Sequence, residues 1–337
     1  MSGEASPVTD LLAPIIMIVR LSSQCSSSGA RMAIRVAAFL LLVAAPIVAS
    51  AQNPAPTNAD EKYGPHERNV LDLWKADSKT PTPVIVFIHG GGFVNGDKSG
   101  IRKDRIIKDS LDRGISFASI NYRFRGTAPI QDILRDCARA IQYLRHKSAD
   151  WNIDKTRIAS YGGSAGAGTS LWLAFHDDLA DPNNDDPVLR ESTRLTCAGA
   201  NSTQFSYDMT KWKDLFGKTE QNPAEELLVP TFYGYTTWTE LNSEAGIKVR
   251  SDCDMCGMIT KDDPPVFLNS QQPGGDIKNR GHLLHHPKHA KAIQDRCREC
   301  GVEALAVLPG LEIKPGSGQP QEMRDFLFQK LQPAAGK

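Results

Sequence analysis

One serine lies in a setting that suits nucleophilic chemistry. Ser164 belongs to the run Tyr-Gly-Gly-Ser-Ala-Gly (161–166), after a short strand-forming stretch (157–160) and before an apolar helical one (167–175). So tight a strand-to-helix turn needs glycines two positions before and after the serine, because side chains there would collide with the neighbouring backbone. The pattern predicts an exposed hydroxyl that attacks a carbonyl carbon, with N–H groups at the helix start facing the resulting oxyanion. The alternative is a glycine-rich turn between a strand and a helix without a chemical role, which could have the same residues.

A second glycine cluster lies upstream. Three consecutive glycines in His-Gly-Gly-Gly-Phe (89–93) follow the unbroken apolar run 83–88, which is typical of a parallel strand buried on both faces. Three glycines let successive N–H groups point into one small volume, as the negative oxygen of a tetrahedral intermediate requires. The alternatives are a flexible turn or a phosphate-binding loop. The latter would need Gly-Lys-Ser or Gly-Lys-Thr at a helix start, whereas Lys98-Ser99 stands well past the glycines.

With these two motifs in this order, the chain resembles the α/β-hydrolase fold serine esterases and lipases, near the hormone-sensitive-lipase-like and bacterial feruloyl- and acetyl-xylan-esterase-like (BD-FAE-like) branches. The resemblance covers residues 60–332. It implies a mostly parallel central sheet with helices on both faces. It also implies that Ser164 is the nucleophile of a carboxylic ester hydrolase, and that the N–H groups of Gly91, Gly92 and Ala165 form the oxyanion hole. We expect no cofactor and no metal.

The other members of the catalytic triad depart from the family pattern. In the related esterases the acid follows the strand that matches 266–269, and the histidine follows the strand that matches 302–308. This chain has no histidine beyond His289, so the usual histidine position is empty. Asp276 lies in the first of these loops, a few residues later than usual, and Glu312 lies in the second. Either carboxylate could orient a catalytic imidazole.

Three histidines follow the seventh predicted strand, at the same edge of the sheet as the serine turn. They are His282, His285 and His286. We expect His285 or His286 to reach Ser164, because Pro287 favours an extended backbone at His286 and fixes that part of the loop against a helix start. The roles would then be preserved although the chain order of the triad changes. The alternatives are metal ligands, solvated loop residues, or a catalytically impaired hydrolase that serves as a binding or scaffold protein.

The chain divides into segments of different character. Residues 32–51 combine a basic start, an apolar stretch and an Ala-Ser-Ala cleavage site, which predicts a signal peptide and export to the periplasm or the exterior. Residues 1–31 are predicted to be a mis-assigned upstream extension, and the alternative is an uncleaved anchor. A linker is predicted over 52–60 and one hydrolase domain over 61–337, with a lid-like insertion at about 201–261. We expect no stable membrane insertion after signal cleavage.

The composition limits the kinds of binding partner that the chain is expected to have. Lys plus Arg and Asp plus Glu both number 39, giving a net charge of zero, so that no basic field favours a nucleic acid. A small-molecule or carbohydrate ester is the expected partner, and the sequence leaves the oligomeric state open.

The cysteines allow several interpretations. The six that follow the signal are Cys137, Cys197, Cys253, Cys256, Cys297 and Cys300. We predict that at least one Cys-x-x-Cys pair is oxidised, as suits an exported chain. A four-thiolate zinc site and free thiols are the alternatives. Cys137 and Cys197 fall in a helix and a strand and are expected in the core.

Alternating strand-like and helix-like segments predict the parallel sheet. After the serine turn, strands are predicted at 195–200, 265–269 and 302–308, and helices at 287–300 and 321–331. Aromatic residues are frequent in the insertion, namely Phe205, Tyr207, Trp212, Phe216, Phe232, Tyr233, Tyr235 and Trp238. They are expected either to form a substrate wall or to pack against the core.

Overall fold

The computed structural model describes residues 53–217 and 229–332. The upstream extension and the signal peptide predicted from the sequence lie outside these residues. No helix in the described part of the chain is both long and apolar enough to cross a membrane.

A central sheet of eight strands forms the described domain, in the order β1-β2-β4-β3-β5-β6-β7-β8. The strands are β1 Asn58–Lys62, β2 Val70–Trp74, β3 Thr82–Ile88, β4 Ser116–Ile120, β5 Ile153–Gly163, β6 Cys197–Asn201, β7 Val266–Asn269 and β8 Ala304–Val307. β2 pairs antiparallel with β1 and β4, and the other neighbours are parallel. The mostly parallel sheet predicted from the sequence is therefore confirmed.

Helices connect these strands. They are α1 Arg105–Leu111, α2 Ile130–His146, α3 Ser148–Trp151, α4 Ala165–Phe175, α5 Trp212–Phe216, α6 Val229–Phe232, α7 Trp238–Leu241, α8 Glu244–Asp252, α9 Met255–Met258, α10 Arg280–His285, α11 Pro287–Cys300 and α12 Met323–Leu331. Short 3₁₀ turns lie at Lys98–Ile101, Met209–Lys211 and Pro309–Leu311. The predicted helix 287–300 agrees with α11 at both ends.

Two apolar cores cover the two faces of the sheet. On one face, α2 and α4 pack against β5 and α11 packs against β7 and β8, through residues such as Ile133, Leu171 and Ile293. On the other face, α1 and α12 pack against the sheet through Ile107 and Phe326. Burial on both sides explains why the central strands are almost wholly apolar. This rigid layer carries the loops at the carboxyl ends of β3, β5 and β7.

The start of the domain differs from the sequence-based expectation. β1 begins at Asn58, within the segment 52–60 predicted as a linker. Its residues, Asn-Ala-Asp-Glu-Lys, lack apolar alternation because β1 is an edge strand with mostly exposed side chains. Trp74 ties the preceding segment to the domain, because its Nε1–H donates to the carbonyl oxygen of Pro54 at 2.8 Å.

The described part of the insertion between β6 and β7 folds as short helices. Most of its aromatic side chains are buried or partly buried against the core that covers this face of the sheet. Tyr207, Trp212 and Phe232 are buried and also line the cavity described below. The two roles considered from the sequence, core packing and substrate wall, are thus combined in the same residues.

All six cysteines of the described chain are free thiols, so the expected disulfide is not formed. Burial raises the pKa of Cys256 and of Cys297 to about 12, and little thiolate is then available for disulfide formation. Cys300 donates its thiol hydrogen to the carbonyl oxygen of Ile259 at 3.2 Å. In the described residues, no group of three or more histidine, cysteine or acidic side chains is arranged to hold a metal.

Candidate active site

The turn between β5 and α4 holds Ser164 in a strained backbone conformation. Its φ and ψ are 52° and −117°, a positive φ that residues with side chains rarely adopt. A Cβ added at Gly162 would lie 2.4 Å from the carbonyl oxygen of Ile88, and one at Gly166 would lie 2.0 Å from it. Both positions therefore require glycine, as the sequence pattern predicts. The turn raises the serine hydroxyl above the end of the sheet.

The structure brings His285 to this serine. Its Nε2 lies 2.8 Å from Oγ of Ser164, and its Nδ1 lies 3.0 Å from the carbonyl oxygen of Gly281. A carbonyl oxygen can only accept, so the neutral imidazole carries its proton on Nδ1 and accepts the serine proton at Nε2. This is the tautomer that a general base for Ser164 requires.

The electrostatic setting keeps His285 neutral. Burial lowers the pKa of its imidazole below the ordinary value, and the hydrogen bond to Gly281 opposes this effect in part. An unprotonated ring can accept a proton at neutral and mildly acidic pH. The group thus has the protonation state that its contact with the serine requires.

Two hydrogen bonds hold the helix end that carries the histidine. Ser270, which is buried after β7, donates its hydroxyl hydrogen to the carbonyl oxygen of His285 at 3.0 Å. The Nε2–H of Gln204 donates to the carbonyl oxygen of Leu284 at 2.7 Å. The short helix α10 is therefore anchored to the loops after β6 and β7.

The neighbouring histidines have structural contacts instead. His286 is the N-cap of α11: its Nδ1 accepts from the N–H of Lys288 at 3.0 Å, and its Nε2 lies 3.1 Å from the carbonyl oxygen of Gly275. His282 is buried, with its Nε2 2.8 Å from the carbonyl oxygen of Pro273. Both nitrogens of His286 are thus occupied away from the serine. Of the two histidines left open by the sequence, His285 is the one that meets Ser164.

Neither candidate carboxylate is brought to this base. Asp276 and Glu312 are both exposed. Nδ1 of His285 bonds to the Gly281 carbonyl, and no hydrogen bond or ion pair within residues 53–217 and 229–332 joins either acid to this imidazole. The orienting acid expected at Asp276 is therefore absent from the arrangement. The reason is local: α10 orients the imidazole so that the carbonyl group of Gly281, in the first turn of the same helix, takes the position of the acid.

The glycine loop after β3 faces the same cavity. Gly91 and Gly92 have positive φ values of 105° and 60°, and Phe93 follows at 62°. A Cβ at Gly91 would lie 2.2 Å from the carbonyl oxygen of Asn95, so this tight turn requires glycine. Gly92 and Ala165, the first residue of α4, line the cavity beside the serine. Gly91 shapes the loop behind them.

A group of polar and aromatic side chains holds this glycine loop. The hydroxyl of Tyr122 donates to the carbonyl oxygen of His89 at 2.6 Å, and the two rings stack at 4.2 Å. Arg68 donates from Nε to the carbonyl oxygen of Tyr122 at 2.8 Å, and its guanidinium lies 3.7 Å from the ring centroid of Phe124. The sequence pattern gives no sign of Arg68, because its partners are backbone carbonyls and a ring far along the chain.

A cavity of about 410 Å³ opens beside the serine. Apolar and aromatic side chains form most of its described wall, including Phe93, Val94, Met209, Trp212, Val229 and Phe232. Gln204, Arg125 and Arg280 are polar members of the wall. A mostly apolar pocket with a few polar groups is typical of a site for a small molecule.

The strand order and the strained serine turn define a protein of the α/β-hydrolase fold. The chain belongs to the BD-FAE family, whose sequence profile matches residues 71–269.

Curated relatives include ester hydrolases. The chain is 27% identical over 248 residues to the probable carboxylic ester hydrolase LipM of Mycobacterium tuberculosis, covering 72% of this chain and 52% of that protein. It is 29% identical over 135 residues to the probable isoprenylcysteine alpha-carbonyl methylesterase ICMEL1 of Arabidopsis thaliana, covering 40% of this chain and 28% of that protein. The chain thus spans less than two thirds of the length of these relatives.

Solved structures share the fold. A truncated carbohydrate esterase from gut microbiota has a TM-score of 0.62 at 18% identity, covering 83% of this chain and 99% of that one. The propionate-bound esterase Est2 of Thermogutta terrifontis has a TM-score of 0.53 at 18% identity, covering 76% and 84% of the two chains. At such identities the likeness is one of fold.

Proposed function

We propose that this chain is a serine hydrolase that cleaves short-chain carboxylic esters through an acyl-enzyme on Ser164. The contact between Ser164 and Nε2 of His285, at 2.8 Å, is the observation that carries the proposal. The family membership and the ester hydrolases among its relatives support the reaction class. The cavity of about 410 Å³ suits a small acyl group and a modest alcohol.

The chemistry follows from these contacts. Nε2 of His285 takes the Oγ proton as Ser164 attacks the ester carbonyl carbon, and the carbonyl oxygen becomes an oxyanion. We assign the N–H groups of Gly91, Gly92 and Ala165 to this oxyanion. Collapse of the intermediate breaks the bond to the alcohol, which leaves with the proton held by His285. Water then attacks the acyl-enzyme with the same base and releases the acid.

The base in this proposal is oriented by a backbone carbonyl. The Gly281 oxygen at 3.0 Å fixes the tautomer of His285, which is one of the two tasks of a triad carboxylate. A neutral carbonyl stabilises the imidazolium less than a carboxylate does. The proposed reaction therefore proceeds with a serine–histidine pair, and rates below those of a full triad are expected.

For the natural substrates we propose acetyl or feruloyl esters of carbohydrate. Two proteins of similar fold are described as a carbohydrate esterase from gut microbiota and an acetyl ester-xyloside bifunctional hydrolase. The signal-like segment 32–51 leads us to propose export, which would bring the enzyme to such material. N-terminal sequencing of exported protein should begin near Gln52, and a retained residue 32 would contradict cleavage.

Replacing the nucleophile tests the proposed reaction. Ser164→Ala should lower kcat for para-nitrophenyl acetate and butyrate by on the order of 10⁴ or more, because the covalent route is lost. Ser251→Ala, an exposed serine of α8, is the matched control and should keep the wild-type rate. An organophosphonate probe should label the wild type and fail to label Ser164→Ala. Absence of both turnover and labelling in the wild type would favour a binding role instead.

A further inference from the structure

A buried glutamine lies in the wall of the active-site cavity. Gln204 lines this cavity together with Ser164 and Leu284, although only 6% of its surface is exposed. A glutamine side chain has one carbonyl oxygen that accepts and one NH₂ group that donates. Buried polar groups are normally hydrogen-bonded, because an unpaired one costs free energy. The partners of this amide therefore indicate what the site can bind.

One hydrogen bond fixes the orientation of the Gln204 amide. Its Nε2–H donates to the carbonyl oxygen of Leu284 at 2.7 Å. A backbone carbonyl cannot donate, so the NH₂ end of the amide faces Leu284 and Oε1 is the other end. Within residues 53–217 and 229–332, no group donates to this oxygen. Gln204 thus offers the cavity an acceptor that has no donor in the described part of the chain.

The backbone around Gln204 is held in place. Ser202, which follows β6, has a positive φ of 53°, a conformation that residues with side chains rarely adopt. The N–H of Phe205 donates to Nδ1 of His289 at 3.3 Å, and Nε2–H of His289 donates to the carbonyl oxygen of Leu283 at 2.9 Å. The buried His289 therefore joins the segment that carries Gln204 to α10. A group positioned in this way loses little freedom when a ligand binds.

The acceptor lies on the side of the cavity where the alcohol leaves. Leu284 immediately precedes His285 at the end of α10. In the proposed reaction the imidazole of His285 returns its proton to the leaving oxygen, and this transfer requires the two atoms to be within hydrogen-bond reach. Because Gln204 is bonded to the residue next to His285, its amide is beside the alcohol part of the ester.

We propose that Gln204 selects esters whose alcohol part carries a further hydroxyl group, which donates a hydrogen bond to Oε1. This inference rests on the proposed ester hydrolysis. A hydroxyl group donates, whereas an ether oxygen at the same position does not. A site with such an acceptor discriminates against an analogue that lacks the donor, because the buried acceptor then stays unpaired. Partial esters of polyols and sugars are the substrate class with such hydroxyl groups.

Hydroxyl esters and their methyl ethers form matched substrate pairs. 2-Hydroxyethyl butyrate is compared with 2-methoxyethyl butyrate, and 3-hydroxypropyl butyrate with 3-methoxypropyl butyrate, so that two distances from the scissile bond are covered. Each kcat/KM is divided by the rate constant for alkaline hydrolysis, which corrects for intrinsic reactivity. The wild type should prefer the hydroxyl ester by about threefold to tenfold in at least one pair.

The variants assign that preference to Gln204. Gln204→Met keeps the size of the side chain but removes the acceptor, and it should lower the hydroxyl-to-ether ratio by about threefold or more. The same change removes the bond to Leu284 and should lower all four rates through α10, but the ratio is insensitive to a loss that both substrates share. Gln142→Met is the matched control: Gln142 is buried in α2, and its Nε2 donates to the carbonyl oxygens of Leu189 and Glu191. Its ratio should equal that of the wild type.

The outcomes separate this inference from the proposed function. Gln204→Asn withdraws the amide by one methylene and should also lower the ratio, which covers the case in which Gln204→Met does not fold. Equal corrected rates for the hydroxyl esters and the ethers in the wild type would overturn the role of Gln204 and leave the ester hydrolysis standing. A hydroxyl preference that persists unchanged in the variants of Gln204 would also overturn that role. Absence of turnover with all four esters would overturn the proposed function, and this inference with it.

Discussion

Ser164 and His285 meet from two loops that follow different strands, with Oγ and Nε2 2.8 Å apart. The serine follows β5 and the histidine ends α10, beyond β7. In the related esterases the histidine follows the next strand. The base that we propose has thus a different place in the chain from the histidine of those esterases, which is possible because catalytic groups are constrained by geometry and not by chain order.

The first prediction separates the two adjacent histidines. His285→Ala should lower kcat by on the order of 10⁴ or more, because the general base is lost. His286→Ala removes the N-cap of α11, and it should lower the free energy of unfolding by about 1 kcal/mol with a far smaller effect on kcat. Kinetics on para-nitrophenyl acetate and thermal unfolding of both variants make the comparison. A full loss of activity in a stably folded His286→Ala protein would contradict this assignment.

The second prediction concerns the carboxylates. Asp276→Asn and Glu312→Gln should each change kcat by about twofold or less, because both side chains are exposed and neither bonds to His285. An orienting carboxylate would contribute on the order of 10⁴. Steady-state rates on a short ester decide between these values. If either amide variant lost several orders of magnitude, the loop would have to rearrange during catalysis so that its acid reaches the base.

The third prediction is the pH dependence. The imidazole of His285 must be neutral to accept a proton, and burial lowers its pKa below the ordinary value of 6.5. Activity should therefore persist as the pH falls below 6.5, and it should decline only as the pH passes through the lowered pKa. The profile of kcat/KM against pH for a short neutral ester measures this value. An apparent pKa at or above about 7 would indicate a carboxylate partner for the imidazole.

Much of this site could be predicted from the sequence because its signals are local. Gly91 and Gly92 have the positive φ that their tight turn needs, and the glycines around Ser164 allow the turn to approach the carbonyl oxygen of Ile88 on the neighbouring strand β3. The buried parallel strands likewise follow from apolar runs. Each of these features belongs to a short motif whose residue types can be recognised in the sequence.

The sequence contains no comparable signal for the orientation of the proposed base. His285 and His286 are adjacent in the sequence. The short helix α10 ends at His285, and this end decides which of the two rings faces the serine. Successive residues of a helix differ in direction by about 100°. The orienting group is the carbonyl of Gly281, and a backbone carbonyl leaves no mark in a sequence. The sequence therefore pointed to a carboxylate such as that of Asp276, because the orienting group of a catalytic triad is normally a side chain.

The polar edge strand β1 was missed for a related reason. Its pairing with β2 is antiparallel and irregular between Asn58 and Glu61, and its exposed side chains carry no alternating apolar pattern. The pairing is specified by backbone hydrogen bonds and by neighbours such as Leu71 and Leu73 on β2. Residues 58–60 therefore resembled the linker that precedes them.

The last prediction assigns Arg68 a positioning role in the glycine loop. His89 donates from Nδ1 to the carbonyl oxygen of Gly90 at 2.7 Å, so its Nε2 is the acceptor for Nη2 of Arg68 at 3.4 Å. The same guanidinium donates to the carbonyl oxygens of Tyr122 and Gly96, at 2.8 and 3.1 Å. One side chain thus bridges both ends of the loop that we assign to the oxyanion.

Loss of this bridge should affect the transition state more than substrate binding. Arg68→Met should lower kcat by about tenfold to a hundredfold with little change in KM, because the oxyanion forms only as the reaction proceeds. Arg68→Lys should restore little, since an ammonium cannot make the forked set of bonds. Arg113→Met is the matched control: Arg113 is exposed, and its guanidinium lies 4.6 Å from the ring centroid of Phe328, a buried residue of the core on the opposite face of the sheet. Its loss should lower stability without lowering kcat, and an equal fall in kcat for both variants would show that Arg68 contributes only to general stability.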